Sequence, residues 1–319
     1  MEEKNKKVKK FGSLMQNAGI WMIFIVLFFV LTIVSENFFT AANLINVVRQ
    51  IAVTAIAALG VSFVILGGEI DLSQGNLAAF TGCICAMLMA ENGISIPLAI
   101  LAALAIGLVW GTVVGVLVSI VKVPAFIATL GMQYVYQGFT LVVTNSQPIT
   151  GLPESFTSLG RGYILGIPVP TIITAVLFAG GFFLFRYMSF GRNVLATGEN
   201  YNAAELSGIP VLKTKIMIFV LSSAMAAVAG FVLTARLSSG QPTAAADLSL
   251  QAISAVYVGG TSGGNVLNTL GGALVIGLIN NGLNLLGVNA YWQKVALGAI
   301  IVVAVSMDAL RKRKVLSKK

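Results

Sequence analysis

Histidine is absent from this sequence, and charged residues are scarce. Only 10% of the 319 residues are charged, compared with roughly 25% in ordinary soluble domains, and 57% are hydrophobic. The absence of histidine removes the commonest general base, the commonest metal ligand and the usual pH-sensing side chain. The Gly-Lys-Ser/Thr of a phosphate-binding P-loop is also absent. The sequence therefore predicts that the chain is not an enzyme, holds no metal, and neither binds a cofactor nor hydrolyses ATP itself.

Cysteine is almost as rare. Cys83 and Cys85 lie two positions apart within an apolar stretch. Two cysteines so close together cannot make a disulfide framework or a four-ligand zinc site. We predict that both are packing residues.

Long apolar runs are abundant. A helix that crosses the hydrocarbon core needs about 20 mainly apolar residues, and ten segments are candidates, of which the eighth is short and predicts a broken or re-entrant segment. They cover residues 20–39, 44–67, 73–91, 95–121, 125–143, 168–187, 214–235, 250–260, 266–287 and 293–309. The sequence predicts an all-α, multi-pass protein of the inner membrane, surrounded by lipid and built as one transmembrane domain over residues 1–319.

The basic residues indicate orientation rather than a nucleic-acid partner, although the net charge is +9. With the N-terminus (1–19) in the cytoplasm, sixteen of the twenty Lys and Arg residues lie on that side. The loop 188–213 and the tail 310–319 are then cytoplasmic too. Five spans in each half would run in opposite directions, as in inverted-topology repeats. The trace of such a repeat is Asp71-Leu-Ser-Gln74 against Asp247-Leu-Ser249 with Gln251.

Two carboxylates, Glu69 and Asp71, lie where the second predicted span ends and the third begins. A charge at mid-bilayer costs roughly 3 kcal/mol, so these side chains should face water, protein or an interface. One interpretation is a cytoplasmic turn in which Asp71 caps a helix that begins near Leu72 or Ser73. The other is a proton-coupling role.

Polar side chains within apolar spans are candidates for a translocation path. Buried amides and hydroxyls need partners or water, so they serve either as hydrogen bonds between helices or as the lining of a polar path. The path or gating candidates are Asp71, Ser73, Tyr134, Gln137, Asn280, Asn281 and Asn284. By contrast, Gly107, Gly111 and Gly115 recur on one face of the fourth span and predict close helix packing.

The inner loop contains a segment, Gly198 to Ile209, that predicts a short helix. Its Ala-Ala-Glu-Leu favours a helix and the following Ser207-Gly208 favours a stop. Such a helix is either a docking surface for a partner or an ordinary loop helix.

Several longer stretches carry a resemblance to a known family. They are Ile70-Asp-Leu-Ser73, Ala125-Phe-Ile-Ala-Thr-Leu130, Gly160-Arg-Gly-Tyr163, Arg236-Leu-Ser-Ser239, Gln241-Pro-Thr-Ala244, Gly259-Gly-Thr-Ser262 and Asn280-Asn-Gly-Leu-Asn-Leu-Leu-Gly-Val288. Together they resemble the permease subunits of ribose-type ABC importers over nearly the whole chain.

The resemblance implies a function and a set of partners. A permease of this kind forms the path for ribose or a related monosaccharide and works as a homodimer or as one of a pair of permeases. A cytoplasmic ABC ATPase hydrolyses the ATP, and an extracytoplasmic sugar-binding protein delivers the sugar. The residues that match the family's ATPase-coupling helix are Gly198, Asn200, Ala203, Ala204, Ser207 and Gly208.

The sequence departs from the ribose pattern at three places. Glu69 replaces a usual Gly, Glu199 and Tyr201 replace the usual Gly and Glu of the coupling segment, and the region after Ser262 is shorter. An alternative function from another class, a proton-coupled secondary transporter with Glu69 or Asp71 as the titrating group, therefore stays open at this point.

Overall fold

The computed structural model of the chain describes residues 19–261 and 264–316. Nearly all of them lie in helices, because lipid offers no partner to a backbone amide or carbonyl and a helix satisfies both internally. The helices are α1 (Gly19–Val34), α2 (Ala41–Leu66), α3 (Gln74–Ala90), α4 (Ile96–Ser119), α5 (Ala125–Val143), α6 (Glu154–Arg161), α7 (Val169–Tyr187), α8 (Ser189–Glu199), α9 (Tyr201–Leu206), α10 (Val211–Leu237), α11 (Leu248–Gly259), α12 (Val266–Leu285) and α13 (Ala290–Leu316). A small hairpin, β1 (Tyr163–Ile164) and β2 (Ile167–Pro168), precedes α7.

Each of the ten predicted apolar segments overlaps one of these helices. Seven are long and apolar enough to cross a membrane, namely α2, α4, α5, α7, α10, α12 and α13 up to Met307. The apolar helices α1, α3 and α11 are shorter. The predicted all-α polytopic architecture is confirmed, and the eighth segment is indeed short, since α11 has 12 residues.

The centre of the bundle is formed by α2 and α10. The most apolar stretches of α2, α12 and α10 are 78%, 67% and 61% buried, whereas those of α4, α5 and α7 are 28% buried and that of α13 is 11% buried. Helices α3 and α4 pack on α10, and α11 and α12 pack on α2. The glycine stripe of α4 explains one of these contacts, because a Cβ at Gly107, Gly111 or Gly115 would lie 2.8–2.9 Å from atoms of α10. The predicted packing role of that stripe is confirmed.

The short helices α3 and α11 begin inside the bundle, and their first residues meet. The backbone amide of Gly75 donates to Ser249 Oγ at 2.7 Å, and that hydroxyl donates to the Leu72 carbonyl at 2.8 Å. A Cβ on Gly75 would lie 2.4 Å from the Ala245 carbonyl oxygen, so only glycine allows this approach. The two segments with similar sequences are therefore in direct contact.

The structure refines three local expectations. The short helix predicted within 198–209 is α9, which covers only Tyr201–Leu206, because Gly198 and Glu199 still belong to α8. Asp71 faces protein rather than water, because it is 1% exposed. The loop between α5 and α7 contains α6 and the hairpin, which hydropathy did not predict. The predicted basic N-terminus (1–19), apart from Gly19, and the end of the tail lie outside the described residues.

Cys83 and Cys85 are both buried and unpaired, as packing residues would be. Both lie on α3, where Cys83 packs with Ala86 and Ile149 and Cys85 belongs to the main hydrophobic core. Because neither native thiol reaches solvent, a thiol-specific reagent should react only with a cysteine introduced on the surface.

Candidate functional site

The candidate coupling segment begins where α8 ends and includes the whole of α9. Asn200 caps α9, since its Oδ1 accepts from the Ala203 amide at 3.0 Å. At the other end Ser207 is the C-cap, and Gly208 adopts a φ of +78°, a conformation that glycine enters without strain. The predicted Ser-Gly stop is therefore confirmed.

One side of α9 faces the protein and the rest faces outward. Ala204 is buried, whereas Ala203, Ser207 and Gly208 are exposed and Leu206 is 89% exposed. No heavy atom lies within 4 Å of the position that a Cβ on Gly208 would take. The segment thus presents an open surface on which small and apolar groups lie beside the exposed acidic side chains Glu199 and Glu205.

The end of α8 touches the connection between α2 and α3. A Cβ on Gly198 would lie 2.0 Å from the Leu66 carbonyl oxygen, and one on Gly68 would lie 3.3 Å from the Gly198 Cα. Gly68 also has a φ of +84°, so both positions require glycine. Beside them Lys215 of α10 forms an ion pair with Glu69, and its ammonium lies 5.1 Å from the centre of the Tyr201 ring.

Asp71 lies deeper in the same connection and is fully hydrogen-bonded. Its Oδ1 accepts from the Ser73 amide at 2.9 Å and from Ser73 Oγ at 2.7 Å, while Oδ2 accepts from Ser222 Oγ at 2.8 Å. Ser222 lies near the middle of α10, and Gln74 also donates to its carbonyl oxygen at 2.8 Å. A buried carboxylate needs such donors in place of water. Asp71 and Ser73 thereby position the start of α3 on α10.

The remaining path candidates fall into two groups. Asn281 is buried and exchanges hydrogen bonds with Asn43 of α2, at 2.8 Å and 3.2 Å, which is an interhelical contact. Asn280 is partly buried, and the exposed Asn284 accepts from Gln293 at 2.9 Å. On α5, Tyr134 is 66% exposed and Gln137 partly exposed, so both lie on the surface of the single chain.

A polar cavity of about 170 Å³ lies at the opposite end of the bundle from α9, between α2, α10 and the start of α11. Its polar lining comprises Gln50, Thr54, Arg236, Thr243, Asp247 and Gln251. Thr54 donates to Gln251 Oε1 at 3.2 Å across it. Sequence reasoning did not predict this site. The signals that could have indicated it were the repeat trace, which includes Asp247, and the matched stretch that begins at Arg236.

Arginine side chains hold the loop beside this cavity. Arg161 Nε donates to the Arg236 carbonyl at 3.0 Å. Arg49 donates to the Arg161 carbonyl, and its guanidinium lies 4.7 Å from the centre of the Tyr163 ring. The β1–β2 hairpin and α6 are thus attached to α2 and α10.

Comparisons with known proteins identify the family. Residues 43–305 match the family model described as the permease component of branched-chain amino acid transport systems. The chain is 44% identical to the ribose import permease protein of Haemophilus influenzae, with 89% of this chain and 90% of that protein covered. It is 41% identical to the ribose import permease protein of Bacillus subtilis (93% and 94% covered) and 34% identical to the D-allose transport system permease protein of Escherichia coli K12 (97% and 96% covered). No solved structure matches the chain.

These relatives are transport permeases, which do not catalyse reactions themselves, so the chain is not an enzyme. The long apolar helices fit the same conclusion, because a permease has to cross the bilayer repeatedly. The chain belongs to the family of permease components of branched-chain amino acid transport systems and is a multi-pass protein of the inner membrane.

Proposed function

We propose that the chain is the membrane subunit of an ATP-driven ABC importer for ribose or a related monosaccharide. The observation that carries this proposal is the identity of 44% and 41% to two ribose import permeases, over about nine tenths of each chain. A separate cytoplasmic ATPase hydrolyses the ATP, and an extracytoplasmic sugar-binding protein supplies the sugar. The permease itself binds no cofactor.

The docking surface for the ATPase is the coupling segment, 198–209. Its outward-facing residues Ala203, Ser207 and Gly208 leave room for another protein, and Asn200 fixes where α9 begins. Behind this surface, Gly198 lies directly on the connection that leads to α3. A force applied to the segment therefore reaches the transmembrane helices through backbone contacts.

The topology that we propose has ten spans, inverted five-helix repeats and both termini in the cytoplasm. Helices α3 and α11 each use a glutamine of the first turn to form a hydrogen bond with the long central helix of the other half. Gln74 of α3 donates to Ser222 of α10, and Gln251 of α11 accepts from Thr54 of α2. This reciprocal exchange supports the repeat, because two inverted halves place equivalent contacts at both ends of the bundle.

The translocation path forms between this chain and a second permease, a copy of itself or a paired one. Along α5, Gly131, Tyr134 and Gly138 are exposed and Gln137 is partly exposed. No heavy atom lies within 4 Å of a Cβ placed on either glycine. Ile127 and Val142 are also exposed on this face, so it is largely apolar, but its two open glycines suit the close approach of another helix.

Reconstitution tests the whole proposal. Proteoliposomes would contain the chain with its candidate ATPase and binding protein, each added or omitted, with ATP on the cytoplasmic side and radiolabelled ribose outside. We expect uptake only when all three proteins and ATP are present. Uptake by the chain alone under a proton gradient would instead establish the secondary transporter and move attention to Glu69 and Asp71.

Gly208→Trp tests the docking surface separately. The indole would project from an open position, so the transmembrane helices should pack as before, although the left-handed backbone costs a non-glycine residue roughly 1 kcal/mol. We expect ATP-driven uptake and co-purification of the ATPase to be lost while the amount of inserted permease is unchanged. Gly166→Trp, at a φ of +80° and also open, is the matched control and should keep both activities.

A further inference from the structure

The candidate coupling segment and the α2–α3 connection are joined by one lysine. Lys215 lies in the second turn of α10 and pairs with Glu69, and both side chains are 18% exposed. The same ammonium faces the Tyr201 ring at 5.1 Å, within the range of a cation–π interaction. Partial burial makes both interactions stronger than those of a surface pair, since less water screens them.

Tyr201 is the first residue of α9, so Lys215 links three segments that are distant in sequence. These are α9, the connection at Glu69 and the base of α10. Next to this link Gly198 and Gly68 are in backbone contact, which leaves no gap between α8 and the connection. The connection therefore has to follow a displacement of α9.

The connection makes a second side-chain contact with α10, through the hydrogen bond between Asp71 and Ser222. Ser222, which donates to Asp71, lies about two helical turns beyond Lys215 on α10. Asp71 in turn accepts the amide of Ser73, immediately before α3 begins. Glu69 is only two residues before Asp71, whose carboxylate positions the start of α3. Helix α3 in turn contacts α11 at the centre of the bundle.

We propose that Glu69, Lys215 and Tyr201 are positioning residues for transport. They form a clamp that transmits the movement of the docked ATPase from α9 to the start of α3. The clamp rests on the proposed docking role of the coupling segment. It acts after docking, so its loss uncouples ATP turnover from sugar movement and leaves the ATPase bound.

The test uses the reconstituted importer with ribose, ATP, the candidate ATPase and the binding protein. The variants are Glu69→Gln, Lys215→Met, Tyr201→Leu and the double variant Glu69→Gln/Lys215→Met. Lys213→Met, an exposed lysine on the same helix, is the control for loss of a positive charge. The measured quantities are ribose taken up per ATP hydrolysed and the amount of ATPase that co-purifies with the permease.

Each single variant should lower the ratio of ribose to ATP by about fivefold, equivalent to roughly 1 kcal/mol of coupling. The double variant should be no worse than Lys215→Met, because both changes remove one interaction. Lys215→Arg keeps the charge and the contact with the ring and should restore the ratio, which a role in stability alone would not require. Co-purification of the ATPase should stay at the level of the unaltered chain.

A ratio equal to that of the unaltered chain in Glu69→Gln and Lys215→Met would overturn the clamp and leave the docking role intact. If the ATPase fails to co-purify with the unaltered permease, the docking role fails and the clamp fails with it. A lowered ratio in Lys213→Met equal to that in Lys215→Met would also overturn the clamp, because charge near the membrane surface would then explain the loss.

Discussion

The Asp71 carboxylate is buried among helices, and hydrogen-bond donors of the protein replace the water that it would bind at the surface. Its three donors come from Ser73 and Ser222, one residue on each of the segments that it joins. Hydrogen bonds to a charged group contribute roughly 1.5–3 kcal/mol each, about twice the value for neutral pairs. The burial of Asp71 therefore favours a structural role at the start of α3.

Replacing Asp71 tests this role. Asp71→Ala leaves the hydroxyls of Ser73 and Ser222 without their acceptor and should lower the stability of the detergent-solubilised protein by about 2–4 kcal/mol. Asp71→Asn keeps the shape and one acceptor, so its loss should be smaller and part of the ATP-driven uptake should remain. Thermal unfolding and uptake would be measured, with Glu91→Gln in the exposed turn after α3 as the control. Equal and complete loss of uptake in both Asp71 variants, with stability unchanged, would indicate a proton-carrying carboxylate instead.

At the scale of helices, hydropathy predicted where the apolar elements lie but not how they meet. The ten apolar segments overlap helices because burial of backbone groups in lipid depends on local composition, which the sequence displays directly. The stop of α9 was equally local, since Ser207 and Gly208 carry it themselves. The ion pair between Lys215 and Glu69 joins residues 146 positions apart. Such a contact depends on the packing of α2 and α10, which no local pattern records.

The glycine stripe of α4 provides a prediction about one helix pair. At Gly111, a Cβ would lie 2.8 Å from the Phe219 carbonyl oxygen and from two atoms of neighbouring residues on α10. Gly111→Leu should therefore force the helices apart and reduce the yield of monodisperse protein severalfold, as overpacking typically costs about 1–3 kcal/mol or more. Size-exclusion chromatography of a fluorescent fusion would measure this yield. Gly180→Leu on α7 has open space around it and should behave like the unaltered protein; a similar loss there would mean that helix propensity, not packing, is responsible.

At the scale of the whole molecule, the proposed orientation places α9 and the β1–β2 hairpin on opposite sides of the membrane. Leu206 and Leu165 mark the two sides, with exposed fractions of 89% and 97%. In intact cells, a membrane-impermeant maleimide should label Leu165→Cys but label Leu206→Cys only after permeabilisation. The native cysteines are buried and should stay unlabelled. The reverse labelling pattern would show that the topology is opposite to the proposed one. Labelling of both cysteines in intact cells would show that the membrane does not separate the two positions.

The pairing of two permeases also makes a prediction for the assembled molecule. A two-fold axis brings a residue near the axis close to its own copy, so one cysteine per chain is enough to cross-link a homodimer. Tyr134→Cys lies on the exposed, glycine-containing face of α5 and should form a covalent dimer with a short bis-maleimide in native membranes. Val176→Cys on α7, at 65% exposure, is the matched control and should remain monomeric. Cross-linking of Val176→Cys but not of Tyr134→Cys would show that the interface lies at α7. Cross-linking of neither variant would argue for a different partner, because a heterologous permease would not carry a cysteine at the facing position.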